Sequence, residues 1–361
     1  MNRQFYLDLA HAGLRMPIGA HLVLHEQAAH ADIVMDGARL GRVVAEAARR
    51  FRTPLAFPLM DLTLEKEALL LARDVPAAAV DTYHFSEVPE GDTPFRPTQR
   101  MEAVCGALRY VASESDLVPI GMSIGPFSLM TKLVSDPITP VFLAGTGAAA
   151  DQEPEVAVVE RLLELSLATI LGYHEAQVEA GAKAIIVCEP AANQVYFSPR
   201  QLAASYAVFD RYVTRLNQAI ADRLRARGVD LIFHDCGELL DGMVQRFAAF
   251  DPAILSLGSS RRLWEDAALV PKTTVLYGNL PTKKFYSDAL VNAAQVRELA
   301  AELTARMRDA AHPFILGSEC DVLSVPGCEA TIQAKVQVFM EAAQTAGRPL
   351  AEAPRAAAES R

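Results

Sequence analysis

Short apolar segments alternate with longer helical patterns along most of the chain, and no other feature of the sequence constrains the fold as strongly. Segments such as AIIVCE (184–189) and DLIF (230–233) are almost continuously apolar, which is typical of parallel strands covered on both faces. The alternation predicts an α/β fold built on a parallel sheet. The predicted strands are residues 18–24, 55–60, 76–80, 118–123, 184–189, 231–235, 254–257, 274–277 and 314–316. The predicted helices are residues 37–51, 97–112, 155–180, 199–227, 237–250, 289–311 and 327–346.

About eight such strand–helix units fit a (β/α)8 TIM barrel with an N-terminal extension. A doubly wound open sheet is the alternative. No glycine-rich nucleotide fingerprint follows a strand, because the segment GTGAAAD at Gly145 lacks a strong preceding strand and a lysine. We therefore expect one barrel domain over residues 1–346 and a flexible tail over residues 347–361, which is rich in alanine, proline and charge.

The charge balance excludes several classes of function. The formal net charge is −10, and such a surface repels phosphate backbones, so we expect no nucleic-acid partner. No uninterrupted apolar stretch reaches the length of a membrane span, and the first residues carry Asp8 and no apolar core of a signal peptide. Five cysteines in 361 residues do not suggest a disulfide framework. We expect a cytoplasmic protein.

The segment LIFHDCGELL contains the residues with the clearest chemistry. His234 and Cys236 are two apart at the end of a predicted strand, so both side chains face the same way, whereas Asp235 faces the other way. Eight histidines and five cysteines in 361 residues give about 0.1 His-x-Cys pairs by chance. Cys320 follows the last apolar segment, and the strand ends of a parallel barrel converge on one rim. One imidazole and two thiolates form a known zinc ligand set that leaves a fourth position for substrate.

The charges of this set favour one kind of chemistry. A neutral imidazole, two thiolates and Zn²⁺ sum to zero, so a substrate thiol that binds as a thiolate makes the centre anionic. Such a sulfur is deprotonated at neutral pH and stays electron-rich. This arrangement suits attack by sulfur on an activated methyl group. The alternative is that the cysteines are small buried hydrophobic residues.

Three segments resemble the uroporphyrinogen decarboxylase superfamily, whose fold is a barrel. They are GPFSLMTKLV from Gly125, LYGNLPTKKFY from Leu276 and FPLMDLTLEKEALL around Asp61. The chain departs from the decarboxylase itself in its N-terminal segment, which lacks the arginine-rich motif that holds a polycarboxylate and offers only Arg15. It departs again where the decarboxylase motifs are replaced by His234-Asp235-Cys236 and by LGSECDV.

Both replacements resemble the methyltransferases that exchange methyl groups with a corrinoid protein, of which the methylcobamide:coenzyme M methyltransferases are the known type. The resemblance implies a zinc ion on His234, Cys236 and Cys320, and a role in one-carbon metabolism. No corrinoid-binding sequence is present, so the resemblance implies a separate corrinoid (cobalamin) carrier protein, which we expect to dock on the C-terminal rim of the barrel. Related barrels often pair, and a homodimer is a further expectation without a recognisable interface.

Four residues near predicted strand ends are candidates for substrate binding. Asp61 could instead cap the helix that follows it, and Glu189 could close the metal sphere, accept a substrate hydrogen bond or cap the next segment. His84 could line the pocket or lie on the surface, and Asn279 could touch substrate or shape the rim. Glu319, Asp321 and Cys328 are secondary: the first two would support Cys320, and Cys328 is the poorer third ligand because it opens a helix. Cys188 is expected in the core.

Three functions remain open at this point. The first is zinc-dependent methyl transfer, with either a thiol or another acceptor, or with a methyl ether as donor. The second is a metal-free carboxy-lyase anchored by Asp61, which the missing arginines disfavour. The third is a barrel that binds a thiol or a corrinoid without turnover.

Overall fold

Eight parallel strands form the hydrogen-bonded sheet of a (β/α)8 TIM barrel in the computed structural model, which describes residues 2–341. The ladder runs in the order β1-β8-β7-β6-β5-β4-β3-β2. The strands are β1 Arg15–Ile18, β2 Leu55–Ala56, β3 Val118–Ile124, β4 Ala184–Cys188, β5 Asp230–Asp235, β6 Ile254–Leu257, β7 Val275–Leu280 and β8 Phe314–Asp321. The predicted tail at 347–361 lies outside the described residues.

Helices follow the strands and cover the outside of the sheet. They are α1 Arg3–His11, α2 Ala20–His25, α3 His30–Ile33, α4 Gly37–Arg50, α5 Leu64–Leu71, α6 Gln99–Glu114, α7 Pro126–Thr131, α8 Ile138–Gly145, α9 Pro154–Glu179, α10 Pro199–Ala204, α11 Ala207–Phe209, α12 Arg215–Ala226, α13 Asp241–Ala249, α14 Leu263–Asp266, α15 Ala293–Asp309 and α16 Glu329–Glu341. Within the described range, none of these helices has the length and apolar character needed to cross a membrane.

The alternation of side chains along each strand divides the core into two layers. Ile186 and Ile232 belong to the cluster inside the barrel, whereas Val187 and Phe233, one residue further on, pack in the cluster between strands and helices. Helix α1 is the predicted N-terminal extension, and it closes the barrel at the amino ends of the strands. There the hydroxyl of Tyr6 donates to Oδ2 of Asp230, the first residue of β5, at 3.0 Å. Because α1 covers the amino ends, a functional site can lie at the carboxyl ends of the strands.

Two predicted strands are wrong. Residues 76–80 contain a short 3-10 helix, Ala77–Ala79, which has no buried residues. Alanine side chains are too small to pack well in an inner strand. The proline before them, Pro76, has no amide hydrogen to donate to a neighbouring strand. The sequence pattern predicts a strand over residues 18–24. The first strand is instead Arg15–Ile18, and the apolar run that follows Gly19 is helix α2. A short apolar run does not distinguish a buried strand from a buried helix.

The predicted helix over 199–227 is interrupted. It consists of α10, α11, a π-helical turn at Asp210–Thr214 and α12. Ser205 ends α10 with extended backbone angles (φ −163°, ψ 139°), and its hydroxyl accepts a hydrogen bond from the amide of Ala207 at 3.1 Å. A serine that bonds a nearby amide in this way competes with helix continuation.

Glu65 is a buried carboxyl that ties α5 to the sheet. Its Oε1 accepts from the amide of Ile124, the last residue of β3, at 3.1 Å, and its Oε2 has no hydrogen-bond partner in the described part of the chain. Burial raises the pKa of Glu65 to about 8, against the lowering effect of the backbone hydrogen bonds. The folded state therefore keeps a proton that the unfolded state releases near its ordinary pKa of 4.5.

This shift predicts a pH dependence of stability. Because the folded pKa is the higher one, the free energy of unfolding falls as pH rises from about 4.5 to about 8, by on the order of a few kcal/mol. Glu65→Gln has no proton to lose, so it should gain stability relative to the wild type over this window. Urea unfolding of both proteins at pH 5 and pH 8.5 measures the difference. Equal pH dependence of the two proteins would contradict the assignment.

Candidate metal centre

Three predicted ligands meet at the carboxyl end of the barrel. One donor atom each from His234, Cys236 and Cys320 forms a group whose members all lie within 4.8 Å of one another. His234 is buried and both cysteines are half-buried. It is the one group of three or more His, Cys, Asp or Glu side chains in residues 2–341 with spacing suited to a metal ion. Cys328 lies outside it, so the geometry selects Cys320 as the third donor.

The imidazole of His234 is oriented by a hydrogen bond on its far nitrogen. Nδ1 lies 2.8 Å from Oγ of Ser256, the residue opposite His234 in the β5–β6 ladder. A neutral imidazole that donates from Nδ1 keeps a lone pair on Nε2. Nε2 is buried and has no partner among the residues described. A buried nitrogen without a partner beside two sulfurs fits a metal ion better than it fits a packed core.

The two cysteines behave as one coupled pair. The pKa of Cys236 is lowered, first by its contact with Cys320 and then, against burial, by the neighbouring imidazole of His234. The pKa of Cys320 is raised by the same contact and by burial. Cys236 is therefore the thiol that loses its proton more easily, and Cys320 is the one that keeps it. A cation that binds both sulfurs replaces that proton.

Cys320 owes its position to an irregularity in β8. In the ladder between β1 and β8, Met16 lies opposite Gly317, but Ile18 lies opposite Asp321. Three residues of β8, Ser318, Glu319 and Cys320, thus lie opposite the single residue Pro17 of β1, so β8 has two extra residues here. Irregularities of this kind redirect a side chain relative to regular alternation. The sulfur of Cys320 lies 3.7 Å from Sδ of Met60, in the segment after β2.

The carboxylates on either side of Cys320 hold neighbouring segments in place. Oε2 of Glu319 accepts from the hydroxyl and the amide of Ser259 at 2.5 and 3.3 Å, and Oε1 accepts from the amide of Lys283 at 3.2 Å. Asp321 pairs with Nδ1 of His21. Both carboxylates are buried, so each supports the rim around Cys320.

Lys283 brings a positive charge to the sulfurs. It lies in a 3-10 turn after β7, Thr282–Lys284, and its backbone amide donates to Oε1 of Glu319 at 3.2 Å. Burial alone would lower the pKa of Lys283, but the charges of Cys236 and Cys320 outweigh it and the pKa is raised. The sequence reasoning did not identify this residue.

The carboxylate of Glu189 is directed away from the donors. It accepts from the amides of Phe127 and Ser128 at the start of α7 at 3.0 and 2.8 Å, and from Nδ2 of Asn217 at 2.9 Å. A Cβ at Gly125 would lie 2.1 Å from its Cδ, so glycine is needed there. Burial raises its pKa, and these hydrogen bonds oppose that effect. These contacts cap α7, which precedes Glu189 in the chain, and not the segment that follows it. Substrate binding by Glu189 stays a prediction.

Asp61 also has close partners within the protein. Its Oδ1 accepts from the amide and hydroxyl of Thr63 at 3.1 and 2.6 Å, just before α5, and Oδ2 pairs with Arg100. The strand β2 ends at Ala56, so Asp61 lies five residues beyond a strand end and not at it. Substrate binding by Asp61 stays a prediction.

His84 lines a cavity of about 480 Å³ that contains none of the three donors. The cavity lies beside α5 and is also lined by Lys66, Arg100 and Lys132. His84 does not follow a strand end, because the strand predicted at 76–80 contains a 3-10 helix instead. His84 is exposed to solvent in this cavity, and its role as a substrate ligand stays a prediction.

Asn279 shapes the rim next to Cys236. Its Nδ2 donates to the carbonyl oxygens of Gly258 and Arg261 at 2.7 and 2.9 Å. Gly258 is itself packed against Cys236, since a Cβ there would lie 2.8 Å from the Cα of Cys236. Asn279 thus fixes the loop that supports one donor, which is the rim-shaping alternative of the sequence analysis, while contact with substrate stays a prediction.

Ser256 and Lys283 are functional candidates that the sequence analysis missed. Ser256 left a weak signal, because it is the one polar residue of the strand Ile254–Leu257. Its hydrogen bond with His234 could be found only from the register of β5 and β6. Lys283 left no signal beyond its place in the segment LYGNLPTKKFY, because the path of a loop is not readable from periodicity.

The fold and the site together define a TIM-barrel protein with an imidazole and two thiols gathered at the carboxyl ends of its strands. Residues 28–345 match the uroporphyrinogen decarboxylase (URO-D) family, and the chain belongs to this family. The family predicted from the sequence motifs is therefore confirmed. A search of curated proteins finds no match.

Solved structures share the fold. A methyltransferase from Methanosarcina mazei aligns over 93% of this chain and 97% of its own, with a TM-score of 0.63 and 15% sequence identity. At this identity the likeness is one of fold, and it agrees with the barrel described above.

The bond between His234 and Ser256 leads to a prediction about metal affinity. Ser256→Ala leaves all three donors in place but frees the imidazole to rotate, and loss of such an orienting partner weakens metal binding by about 10–100-fold. Competition with a chromogenic chelator measures the zinc affinity of the variant and of the wild type. Ser260→Ala is the control, because Ser260 donates to the carbonyl of Gly237 and does not contact the imidazole. Equal affinities for Ser256→Ala and wild type would contradict an orienting role.

Proposed function

We propose that this protein is a zinc-dependent methyltransferase that moves a methyl group between a corrinoid (methylcobalamin) carrier protein and a small-molecule acceptor. The observation that carries the proposal is the group of three donors within 4.8 Å, in which Nε2 of His234 is buried and has no hydrogen-bond partner within residues 2–341. Three protein donors, and not four, are typical of catalytic zinc sites.

Family and fold support the broader class. The chain belongs to an enzyme family, and a solved structure with the same fold is a methyltransferase. Both support an enzyme with a methyltransferase-like activity. Zinc and the corrinoid partner are the additional elements of our proposal, and they rest on the donor set and on the motif His234-x-Cys236 with Cys320.

Each residue of the proposed site has a distinct role. A zinc ion held by His234, Cys236 and Cys320 would act as a Lewis acid that favours the thiolate form of an incoming thiol at neutral pH. Ser256 holds the imidazole by Nδ1 and so aims Nε2 at the centre. Gly258 lets the β6 loop approach Cys236 closely. The half-buried position of both cysteines lets a substrate approach from the rim.

A separate carrier protein would approach from the same rim. Four large hydrophobic side chains in segments that follow strand ends are exposed there: Val195, Tyr286, Leu290 and Leu323, at 60%, 43%, 50% and 56%. Exposed apolar residues around a polar site are typical of protein contact surfaces. We therefore propose that the carrier docks on these segments.

The carboxy-lyase alternative has less support. Arg15 is the cation in the segment where the decarboxylase carries its arginines, but it is the first residue of β1 and lies at the amino end of the barrel. It lines a cavity there together with α1 and α15. Arg15 is therefore too far away to pair with the carboxylates of a substrate that binds at the opposite rim, where the strands have their carboxyl ends.

A demethylation assay tests the proposal. Wild-type protein with zinc should demethylate methylcobalamin in the presence of an acceptor drawn from a panel of small thiols, and His234→Ala, Cys236→Ser and Cys320→Ser should lose both zinc and activity. Cys328→Ser is the matched control and should keep both, since Cys328 lies outside the donor group. A zinc-free preparation with full activity would contradict the proposal, and so would release of carbon dioxide from a carboxylated substrate without methyl transfer.

A further inference from the structure

A cavity of about 600 Å³ lies at the amino ends of the strands, on the side of the barrel opposite to the three donors. One wall is the end of α1 with the turn after it, and the other is the end of α15 with the turn that leads into β8. Phe314, the first residue of β8, lines this cavity, whereas Cys320 in the same strand is a donor of the metal centre. Their separation along an extended strand is about 20 Å, so a ligand in the cavity does not reach the donors.

The walls of the cavity are held by hydrogen bonds within the chain. In the turn after α1, the amide of Leu14 donates to the carbonyl oxygen of Leu9 at 3.0 Å. In the turn before β8, Nε2 of the buried His312 donates to the carbonyl oxygen of Thr274 at 3.0 Å. The cavity is therefore largely preformed, as sites for small molecules usually are.

The lining of the cavity is apolar inside and basic elsewhere. Its inner surface includes four buried apolar side chains, Ala10, Leu14, Met307 and Leu316. Its basic lining residues are His11, Arg15, Lys272 and Arg308. No aspartate or glutamate within residues 2–341 lines it. This lining is the reverse of the chain as a whole, whose formal net charge is −10.

Helix capping explains part of this charge. His11 and Arg308 are in the last turns of their helices, where a cation is favourable, and Arg308 also lies 3.9 Å from the exposed Asp309. Arg15 has another contact within the chain. Lys272 is exposed, lies in a loop outside the helices and has no ion-pair partner in the part of the chain that the structure describes. Capping therefore does not account for Lys272, and its charge is available to a ligand.

We propose that this cavity binds a small organic anion with an apolar body, of the class of medium-chain carboxylates. The apolar chain would lie on the buried inner surface, and the carboxylate would lie at Lys272 and Arg308, since opposite charges attract. The inference is separate from the proposed function, because none of the three metal donors lines the cavity. The chemistry of TIM-barrel enzymes lies at the carboxyl ends of the strands, so we assign binding to this cavity and not a second reaction.

Isothermal titration calorimetry of the full chain with sodium octanoate tests the proposal. Two further probes separate its parts at equal ionic strength: 1-octanol has the chain without the charge, and acetate has the carboxylate without the chain. Lys272→Met and Arg308→Met each remove one cation. Thr304→Phe fills the cavity from a half-buried position on α15. Arg297→Met is the matched control, because Arg297 is exposed on the same helix and does not line the cavity.

We expect one octanoate to bind per chain, 1-octanol to bind more weakly and acetate to show no measurable binding. Lys272→Met and Arg308→Met should each weaken octanoate binding about two- to fivefold, a modest loss because both side chains are exposed. Thr304→Phe should weaken it by more than about tenfold, since a ring then occupies the space of the ligand. Arg297→Met should bind octanoate as the wild type does. Circular dichroism checks that Thr304→Phe is folded, and the two cation variants decide the matter if it is not.

Four results would overturn the inference. The first is the absence of saturable octanoate binding. The second is equal affinity for octanoate and 1-octanol, or no loss in either cation variant, which would mean that charge plays no part. The third is unchanged affinity in folded Thr304→Phe, which would place octanoate elsewhere on the protein. The fourth is loss of octanoate binding in His234→Ala, which would place it at the metal centre. Because the expected result for His234→Ala is wild-type binding of octanoate without zinc, failure of the proposed function and failure of this inference are distinguishable.

Discussion

The convergence of strand ends in a parallel barrel is the constraint on which the whole site depends. His234 and Cys236 reach the rim from β5, and Cys320 reaches it from β8, and only the barrel brings these distant segments together. The i, i+2 spacing aims the first two side chains the same way. The shift in the β1–β8 register places the third. Each donor is therefore positioned by backbone geometry, which holds it more firmly than a loop could.

Hydrogen bonds around the donors then decide their chemical state. Ser256 holds the imidazole by Nδ1 and leaves Nε2 for a metal ion. The contact between the two cysteines lowers the pKa of Cys236 and raises the pKa of Cys320, so a cation that binds both sulfurs would displace the proton of Cys320. Glu319 fastens both the β6 loop and the turn of Lys283 to the segment of Cys320. The same few contacts thus set the protonation of the sulfurs and the charge next to them.

Much of the fold and the donor set could be predicted from the sequence, for identifiable reasons. Strands such as Ala184–Cys188 and Ile254–Leu257 are apolar on both faces, so their pattern is clear. The pair His234 and Cys236 could be found because strand alternation is a local rule. The strand predicted over residues 18–24 does not match the observed strand Arg15–Ile18, because the run after Gly19 is apolar enough for either a strand or a helix.

The rest of the site depends on tertiary contacts that leave little trace in one sequence. Ser256 becomes meaningful only when the β5–β6 register places it opposite His234. Glu189 ends an apolar strand like a rim residue, yet its carboxylate binds the amides at the start of α7. Lys283 lies in a loop whose path is set by Glu319. Local patterns identify which residues approach the rim, but not the direction of each side chain.

Zinc K-edge X-ray absorption of the zinc-loaded protein is the most direct test of the central claim. We expect a shell of two sulfurs at about 2.3 Å and one imidazole nitrogen at about 2.0–2.1 Å, completed by a light oxygen or nitrogen ligand. Addition of a thiol that the protein accepts should raise the sulfur count to three. A protein that retains no zinc, or a zinc shell without sulfur, would contradict the assignment of His234, Cys236 and Cys320 as its ligands.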